Sequence, residues 1–328
     1  MSGPTSGEFE QIARYFAPLA KDYPLAFGLT DDAALIRPEP GQEIVVTTDC
    51  MVAGVHFFPD DAPERIARKL LRVNLSDLAA MGAAPVGYLL AAAWTEAVDD
   101  AWLARFAAGL AEDQARFGVA LIGGDTAATP GALTLTITAL GTVTAGAALR
   151  RSGAKPGDGV YVSGTIGDAY LGLQARKAAL AGANAESARY FAERLDLPEP
   201  RLGLGRRLRG LATAAIDISD GLVADLGHIC ETSKLAAEIV ASRVPLSPPA
   251  AALVARAPEY LPALLTGGDD YELCFAVPQG REGEIAALAG ELGVALTRIG
   301  RCSAGAGVKV EGPDGTALAF ERTGYRHF

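Results

Sequence analysis

Residues 43–58, EIVVTTDCMVAGVHFF, open on an apolar, β-branched stretch that a single acid interrupts. Ile44, Val45, Val46, Thr47 and Thr48 are almost all β-branched, which predicts a strand. A strand buried on both faces would continue apolar, as Met51 and Val52 do. Asp49 interrupts it instead, on the face of Val45, Thr47 and Met51. Such a carboxylate either accepts backbone N–H groups at a strand end or meets a cation. Left bare, it would cost several kcal/mol.

The rest of the pattern surrounds that strand with helices. Phe9, Ile12, Ala13, Phe16 and Leu19 predict an amphipathic helix over 7–20, and Pro24 ends that region. Residues 28–34 form a turn carrying Asp31 and Asp32. Residues 63–81 read as a helix with Arg65, Arg68, Lys69 and Arg72 on one side, the side expected to be wet. Ile66, Leu70 and Val73 lie opposite, and Asp77 and Met81 continue that apolar side. Asp77 therefore calls for a basic partner or a metal, and the metal is the stronger expectation. A strand over 84–95, a helix over 99–117 stopped by Gly118, a short strand over 119–122 running into Gly123-Gly124-Asp125-Thr126, and a strand over 133–143 follow. This order predicts an α+β layer with helices on one face of a sheet.

Small and turn residues at 144–153 place a domain boundary near Ala148, giving domains 1–148 and 149–328. Arg150 and Arg151 sit at that seam, as surface charges or as phosphate contacts. Past it, strands are predicted over 159–163, 235–240, 273–277 and 296–300, helices over 168–180, 198–211, 222–232 and 258–264, and an apolar stretch over 211–216. The glycine-rich turn at 164–169 can admit an anion to backbone N–H groups. It matches neither a Walker A loop nor a dinucleotide fingerprint. Ser219 or Asp220 is the expected N-cap of the helix that follows, which leaves Asp217 without a capping role.

Length and composition narrow the class. The 328 residues favour two domains, and 50% hydrophobic with 21% charged residues fits a globular α/β enzyme rather than a disordered chain. A net charge of −10 argues against a nucleic-acid surface but not against a phosphate substrate, because bound metals reverse the sign of a site. Cys50, Cys230, Cys274 and Cys302 form no CxxC pair and fit reduced thiols. The start of the chain lacks the features of a signal peptide, and no apolar run is long enough to span a bilayer, so a cytoplasmic protein without membrane contact is expected.

Acids stand at apolar-to-glycine junctions throughout: Asp31/Asp32, Asp49, Asp77, Asp125, Asp217/Asp220 and Asp269/Asp270. Two carboxylates about 4 Å apart repel by about 4 kcal/mol at a surface-like dielectric, so a convergent set needs protons or divalent cations. Oxygen donors without His or Cys beside them favour Mg²⁺ or Mn²⁺. Mg²⁺ held by few carboxylates and completed by phosphate oxygens suits phosphoryl transfer, where positioning and charge neutralisation do most of the catalysis. Only three His are present and no GxSxG nucleophile elbow occurs, in keeping with that chemistry. His56, just after the acid-bearing strand, is either structural or a substrate contact.

GLTDDAALI, TTDCMVAGVHF, NLSDLAAMGAAP, GGDT, SGTIGDA, DISDGL and GGDDYEL occur in this order from residue 28 to 273, and GYRHF closes the chain. Together they resemble the thiamine-monophosphate kinase family, within the superfamily of aminoimidazole ribonucleotide synthetase and selenophosphate synthetase. The resemblance implies ATP-dependent phosphorylation of thiamine monophosphate to thiamine diphosphate by direct transfer, with several Mg²⁺ ions. It also implies a homodimer whose N-terminal domains pair into a barrel-like β core, with nucleotide between the N- and C-terminal domains. Carried over by motif, Asp32, Thr47, Thr48, Asp49, Asp77, Asp125, Asp217 and Asp220 hold metal, with Asp49, Asp77 and Asp217 catalytic through it. Gly124, Arg151 and Ser219 contact ATP, and His56, Asp269 and Tyr325 contact the thiamine substrate. Whether Asp269 or its neighbour Asp270 meets the substrate stays open. Two departures stand out: Thr30 where a Gly commonly precedes the acids, and Tyr325 where Trp is also seen. Alternatives are another ATP-using member of the superfamily or a nucleotide- and metal-binding regulator without turnover. A diguanylate cyclase reading of GGDDYEL leaves the other motifs unexplained.

Overall fold

A computed structural model describes residues 7–325, so Arg326, His327 and Phe328 of the closing GYRHF motif lie outside the described residues. The chain divides into two compact units, one running to Leu78 and over Ala83–Gly146, the other comprising Ala79–Gly82 and the chain from Ala147 onward. Both units are mixed α and β, and neither sheet closes on itself.

The first unit starts with α1 (Glu8–Gln11), which widens and then tightens into short non-α turns up to Ala20 instead of forming one regular helix. Pro18 lies in that stretch and has no N–H to continue an α ladder. Tyr15, Phe16 and Leu19 are buried, whereas Phe9, expected on the apolar face, is 84% exposed. Then come β1 (Gln42–Val52), α2 (Pro63–Ala80), β2 (Ala84–Trp94), α3 (Asp100–Phe117), β3 (Ala120–Ala128) and β4 (Thr134–Thr144). The four strands order β1-β4-β2-β3, antiparallel except for the parallel β2–β3 pair. The short strand expected over 119–122 runs on through Gly123-Gly124-Asp125-Thr126, which continues β3 along β2.

Period-two alternation sorts β1 as the sequence predicts. Val45, Thr47, Asp49 and Met51 face the side where α2 packs, with Thr47 hydrogen-bonded to Asp77 of that helix. On the other face, Ile44, Val46 and Cys50 are exposed, as is Leu89 of β2. Residues of the N-terminal segment, Ala20 and Ala26, cover Ile122 and Leu140.

The basic side of α2 is not wet. Arg72 is 2% and Lys69 5% exposed. The reason is Asp113, fully buried on α3, whose carboxylate accepts from Arg72 Nε at 2.6 Å and Nη2 at 2.9 Å and from Arg68 Nε at 3.2 Å. A bidentate guanidinium pair of this kind makes a buried charge tolerable. A helical wheel shows which charges share a side but not that a partner acid awaits them on another helix.

The second unit carries β5 (Gly159–Ser163), α4 (Asp168–Arg176), α5 (Ala185–Asp196), α6 (Leu202–Leu208), β6 (Ala214–Asp217), α7 (Leu222–Ser233), β7 (Ala236–Val240), α8 (Pro248–Arg256), α9 (Tyr260–Thr266), β8 (Leu273–Val277), α10 (Glu282–Leu292), β9 (Leu296–Ser303) and β10 (Gly307–Glu311). Its six strands order β10-β7-β9-β5-β8-β6. Val160, Ile216, Leu226, Ile239 and Ile299 are among the side chains that form its main core. Helices α5 and α8 have caps readable in retrospect: Asn184 accepts from Ser187 N–H, and Ser247 precedes Pro248 and accepts from Ala250 N–H.

The Asp113 cluster generates a prediction. Asp113→Ala removes the carboxylate that binds the buried Arg72 guanidinium through two donors and lowers stability by about 3–5 kcal/mol in urea unfolding. A loss below about 1 kcal/mol would show that these charges rehydrate easily.

Candidate active site

In the first unit the strand β1 and the helix α2 bring Thr47, Asp49 and Asp77 together. Thr47 Oγ1 donates to Asp77 Oδ2, and the Asp49 backbone N–H donates to Asn74 Oδ1 at 3.1 Å. Asn74 is fixed in turn by donating from Nδ2 to Leu70 O. Burial pushes the Asp49 carboxyl up to about 6, and the charge and hydrogen bond of Asp77 add to the rise. Like charges in half-buried surroundings, with a hydroxyl and no sulfur or imidazole among these donors, fit a hard divalent cation. Thr48 does not join this group through its hydroxyl, which is turned to Ile137 O and Thr138 on the other side of the sheet.

Asp32, Gly124 and Asp125 line one cavity of about 300 Å³ in the same unit, with Asp31 and Thr30 beside them. Its acidic rim adjoins an apolar wall that includes Phe9, Ile12, Leu90 and Leu121. A Cβ on Gly124 would lie 2.0 Å from Leu90 O, so the glycine is required by strand contact whatever it binds. His56 follows β1 in a tight turn where its Nδ1 accepts from Val52 N–H at 3.0 Å. The neutral ring therefore carries its proton on Nε2 as a donor.

In the second unit Asp217 ends β6, buried and paired with Leu273 of β8. The turn after it is not capped by Ser219 or Asp220. Gly221 occupies the cap position without a side-chain bond, and Asp225, inside the first turn of α7, accepts from the N–H groups of Ser219, Asp220 and Gly221 at 3.0, 3.0 and 3.1 Å. One acid reaching back thus organises the whole turn and leaves the Ser219 and Asp220 side chains out of capping. Burial and the charge of Asp220 push Asp225 up to about 7 against the pull of those three donors. Asp220, Asp225 and His228 bring ligand atoms within 4.8 Å of one another. The sequence pattern did not single out Asp225 or His228; the one signal available was an acid and an imidazole three residues apart on a helix.

The second glycine-rich loop clasps the first. Asp269 N–H donates to Ser219 O at 2.9 Å and Tyr271 N–H to Ile218 O at 2.8 Å. A Cβ on Gly268 would sit 2.2 Å from Ser219 O, so the approach needs glycine there. Asp269 and Asp270 part company in this loop. Asp270 is buried and accepts from Gly167 N–H at 2.6 Å and Ala169 N–H at 3.2 Å, with burial holding its carboxyl well above the ordinary range. The anion that the 164–169 turn admits is therefore the chain's own Asp270. Asp269 is half-exposed at a φ of 72°. Tyr325 is tied to the same turn through its N–H to Asp220 O at 3.0 Å, leaving its side chain 52% exposed. Arg151 is exposed, and its carbonyl accepts from Ser233 Oγ at 3.2 Å.

Two family models match: AIR synthase related protein, N-terminal domain, over residues 30–143, and its C-terminal domain over residues 155–312. A thiamine-monophosphate kinase of Caulobacter vibrioides is 44% identical over 304 residues, covering 92% of this chain and 85% of the relative. The crystal structure of thiamine-monophosphate kinase from Stenotrophomonas maltophilia is 41% identical, with a TM-score of 0.82 over 93% of this chain and 98% of that one. A structure described as AaThiL complexed with AMPPCP and TMP is 26% identical, with a TM-score of 0.77 over 99% of this chain and 100% of that one. Identity of this order across both units, on top of a shared fold, settles the relationship: the chain belongs to the thiamine-monophosphate kinase family.

Proposed function

We propose that the protein is a phosphotransferase that moves the γ-phosphoryl group of ATP onto the phosphate of thiamine monophosphate, releasing thiamine diphosphate and ADP. The observation that carries this reading is the Thr47–Asp49–Asp77 cluster, an oxygen-only set with a raised carboxyl pKa, in a chain that aligns end to end with a relative complexed with AMPPCP and TMP. Asp32, Thr47, Asp49, Asp77 and Asp125 from the first unit, and Asp217 and Asp220 from the second, would hold several Mg²⁺ ions. Bound Mg²⁺ supplies neutralisation of the phosphate oxygens during an in-line displacement. The protein's own part is positioning. Gly124 and Ser219 approach the nucleotide phosphates, and the exposed Arg151 guanidinium adds a fork of donors to them. His56 offers Nε2–H to the thiamine phosphate, Asp269 its carboxylate to the thiamine moiety, and Tyr325 a ring face.

We assign the metal and dimerisation roles to domain 1–148 and completion of the nucleotide and substrate site to domain 149–328. The uncovered sheet face with Ile44, Val46 and Leu89 supports a homodimer in which two first domains pair into a barrel-like β core. Among the described residues no helix is long and apolar enough to cross a membrane, and the four cysteines are free thiols, which supports a reducing, cytoplasmic setting.

Purified protein given ATP, Mg²⁺ and thiamine monophosphate forms thiamine diphosphate; nucleotide binding without turnover would contradict the reading. Asp49→Asn and Asp77→Asn each lower kcat at least about a hundredfold while the circular dichroism stays native, and near-normal rates in either would refute the metal assignment. Tyr325→Ala raises KM for thiamine monophosphate about tenfold and leaves KM for ATP within about twofold.

A further expectation follows from linkage. Asp49 has an ordinary value of 3.8 and a folded value of about 6, so between these the folded protein binds more protons than the unfolded one. Without metal, stability therefore falls as pH rises through that window and the deficit persists above it. Mg²⁺ that replaces the proton restores it. Thermal melts should show a larger Mg²⁺ stabilisation at about pH 7.5 than at about pH 5, and Asp49→Asn should remove most of the difference. A pH-independent Mg²⁺ effect would contradict this origin.

A further inference from the structure

The 269–272 segment alternates in a way the family motif does not explain. Asp269 and Tyr271 are half-exposed and both adopt positive φ, 72° and 51°, which non-glycine residues take only when their surroundings over-determine it. Asp270 and Glu272, between and after them, are buried. The Asp269 and Tyr271 N–H groups bond to Ser219 O and Ile218 O, and the next residue, Glu272, is clamped through its side chain. Arg201 donates to it through Nε at 2.6 Å and Nη2 at 2.5 Å, Arg194 through Nη2 at 3.0 Å and Ser163 through Oγ at 2.6 Å. Ser163 Oγ also accepts from Leu273 N–H at 2.9 Å, so the clamp fixes the main chain as well as the side chain. Asp168 balances the second guanidinium, its Oδ2 lying 3.9 Å from Arg194 Nε while it also accepts from Thr165, Tyr190 and Ser247 hydroxyls. Two guanidinium groups, Asp168 and Glu272 thus close a charge-neutral set, with Asp270 seated on the N-terminus of α4.

The bridge ties α5 to the residue next to Tyr271, in a loop where Asp269 and Tyr271 both carry a side chain at positive φ. The loop it braces is the one that presents Asp269. We propose that Glu272, clamped by Arg194, Arg201 and Ser163, is a positioning residue for thiamine monophosphate: it helps to keep Asp269 and Tyr271 in the left-handed conformation that directs the Asp269 carboxylate at the substrate. This rests on the functional reading above and adds to it a residue that touches no substrate itself.

The test is steady-state kinetics on Glu272→Gln, on the milder Arg201→Lys, which keeps the charge and loses the bidentate fork, and on Asp269→Asn, singly and combined. Glu272→Gln raises KM for thiamine monophosphate about tenfold or more and leaves KM for ATP within about twofold; Arg201→Lys does the same by about threefold. In the double variant, Glu272→Gln adds little to the effect of Asp269→Asn, because it acts through that residue. A purely structural Glu272 would lower the amount of active enzyme without moving KM, or would add fully to Asp269→Asn, and either result overturns the proposal. Should Glu272→Gln fail to fold, Arg201→Lys decides alone: an unmoved KM for thiamine monophosphate overturns the inference. Wild-type protein that turns over thiamine monophosphate while both variants keep its KM sinks this inference and leaves the functional reading intact. Wild-type protein without turnover sinks both.

Discussion

Like charges held near one another in partly buried surroundings are the constraint on which the rest of the molecule depends. Asp49 and Asp77 reach each other because a strand with period two and a helix with period 3.6 both turn an acid toward the same layer. Nothing about burying apolar surface asks for that. The arrangement raises one carboxyl to about 6 and so weakens the metal-free fold at neutral pH, a cost that a divalent cation held there would offset.

The second unit handles its acids differently. There, three buried carboxylates have a fixed structural job: Asp225 organises the 219–221 turn, Asp270 sits on the first turn of α4, and Glu272 is locked between two guanidinium groups. These three hold the loops, and the neighbouring acids Asp220 and Asp269 are left at the surface of the same loops. A buried acid braces and the adjacent acid is presented. That pairing gives a physical reason for the doubled acid of GGDDYEL and for Asp225 five residues after Asp220, since one carboxylate cannot do both tasks.

Much of this was legible in the sequence where a single periodicity governed the outcome. Alternation placed Asp49 on the covered face of β1, and the helical wheel separated Asp77 from the arginines of α2. What periodicity could not reveal were partners supplied from elsewhere in the chain. Arg72 looked solvated because Asp113 lies forty-one residues away on another helix. Ser219 and Asp220 looked like caps because the residue that does the work, Asp225, sits where a helix interior was expected. The Gly164–Ala169 turn invited an external anion, and its ligand turned out to be Asp270. A strand expected over 119–122 runs on through GGDT, and close approach of Gly124 to Leu90 of β2 is what makes glycine necessary there.

The central claim, that these scattered acids form a metal-dependent phosphate site, is tested most directly by counting bound metal. Equilibrium dialysis of the purified protein against Mn²⁺ near pH 7.5, with AMPPCP and thiamine monophosphate present, should find more than one ion per chain. The count should drop in Asp49→Asn and Asp77→Asn even though nucleotide remains available to chelate. A wild-type count no higher than AMPPCP alone explains, unchanged by either substitution, would contradict the account.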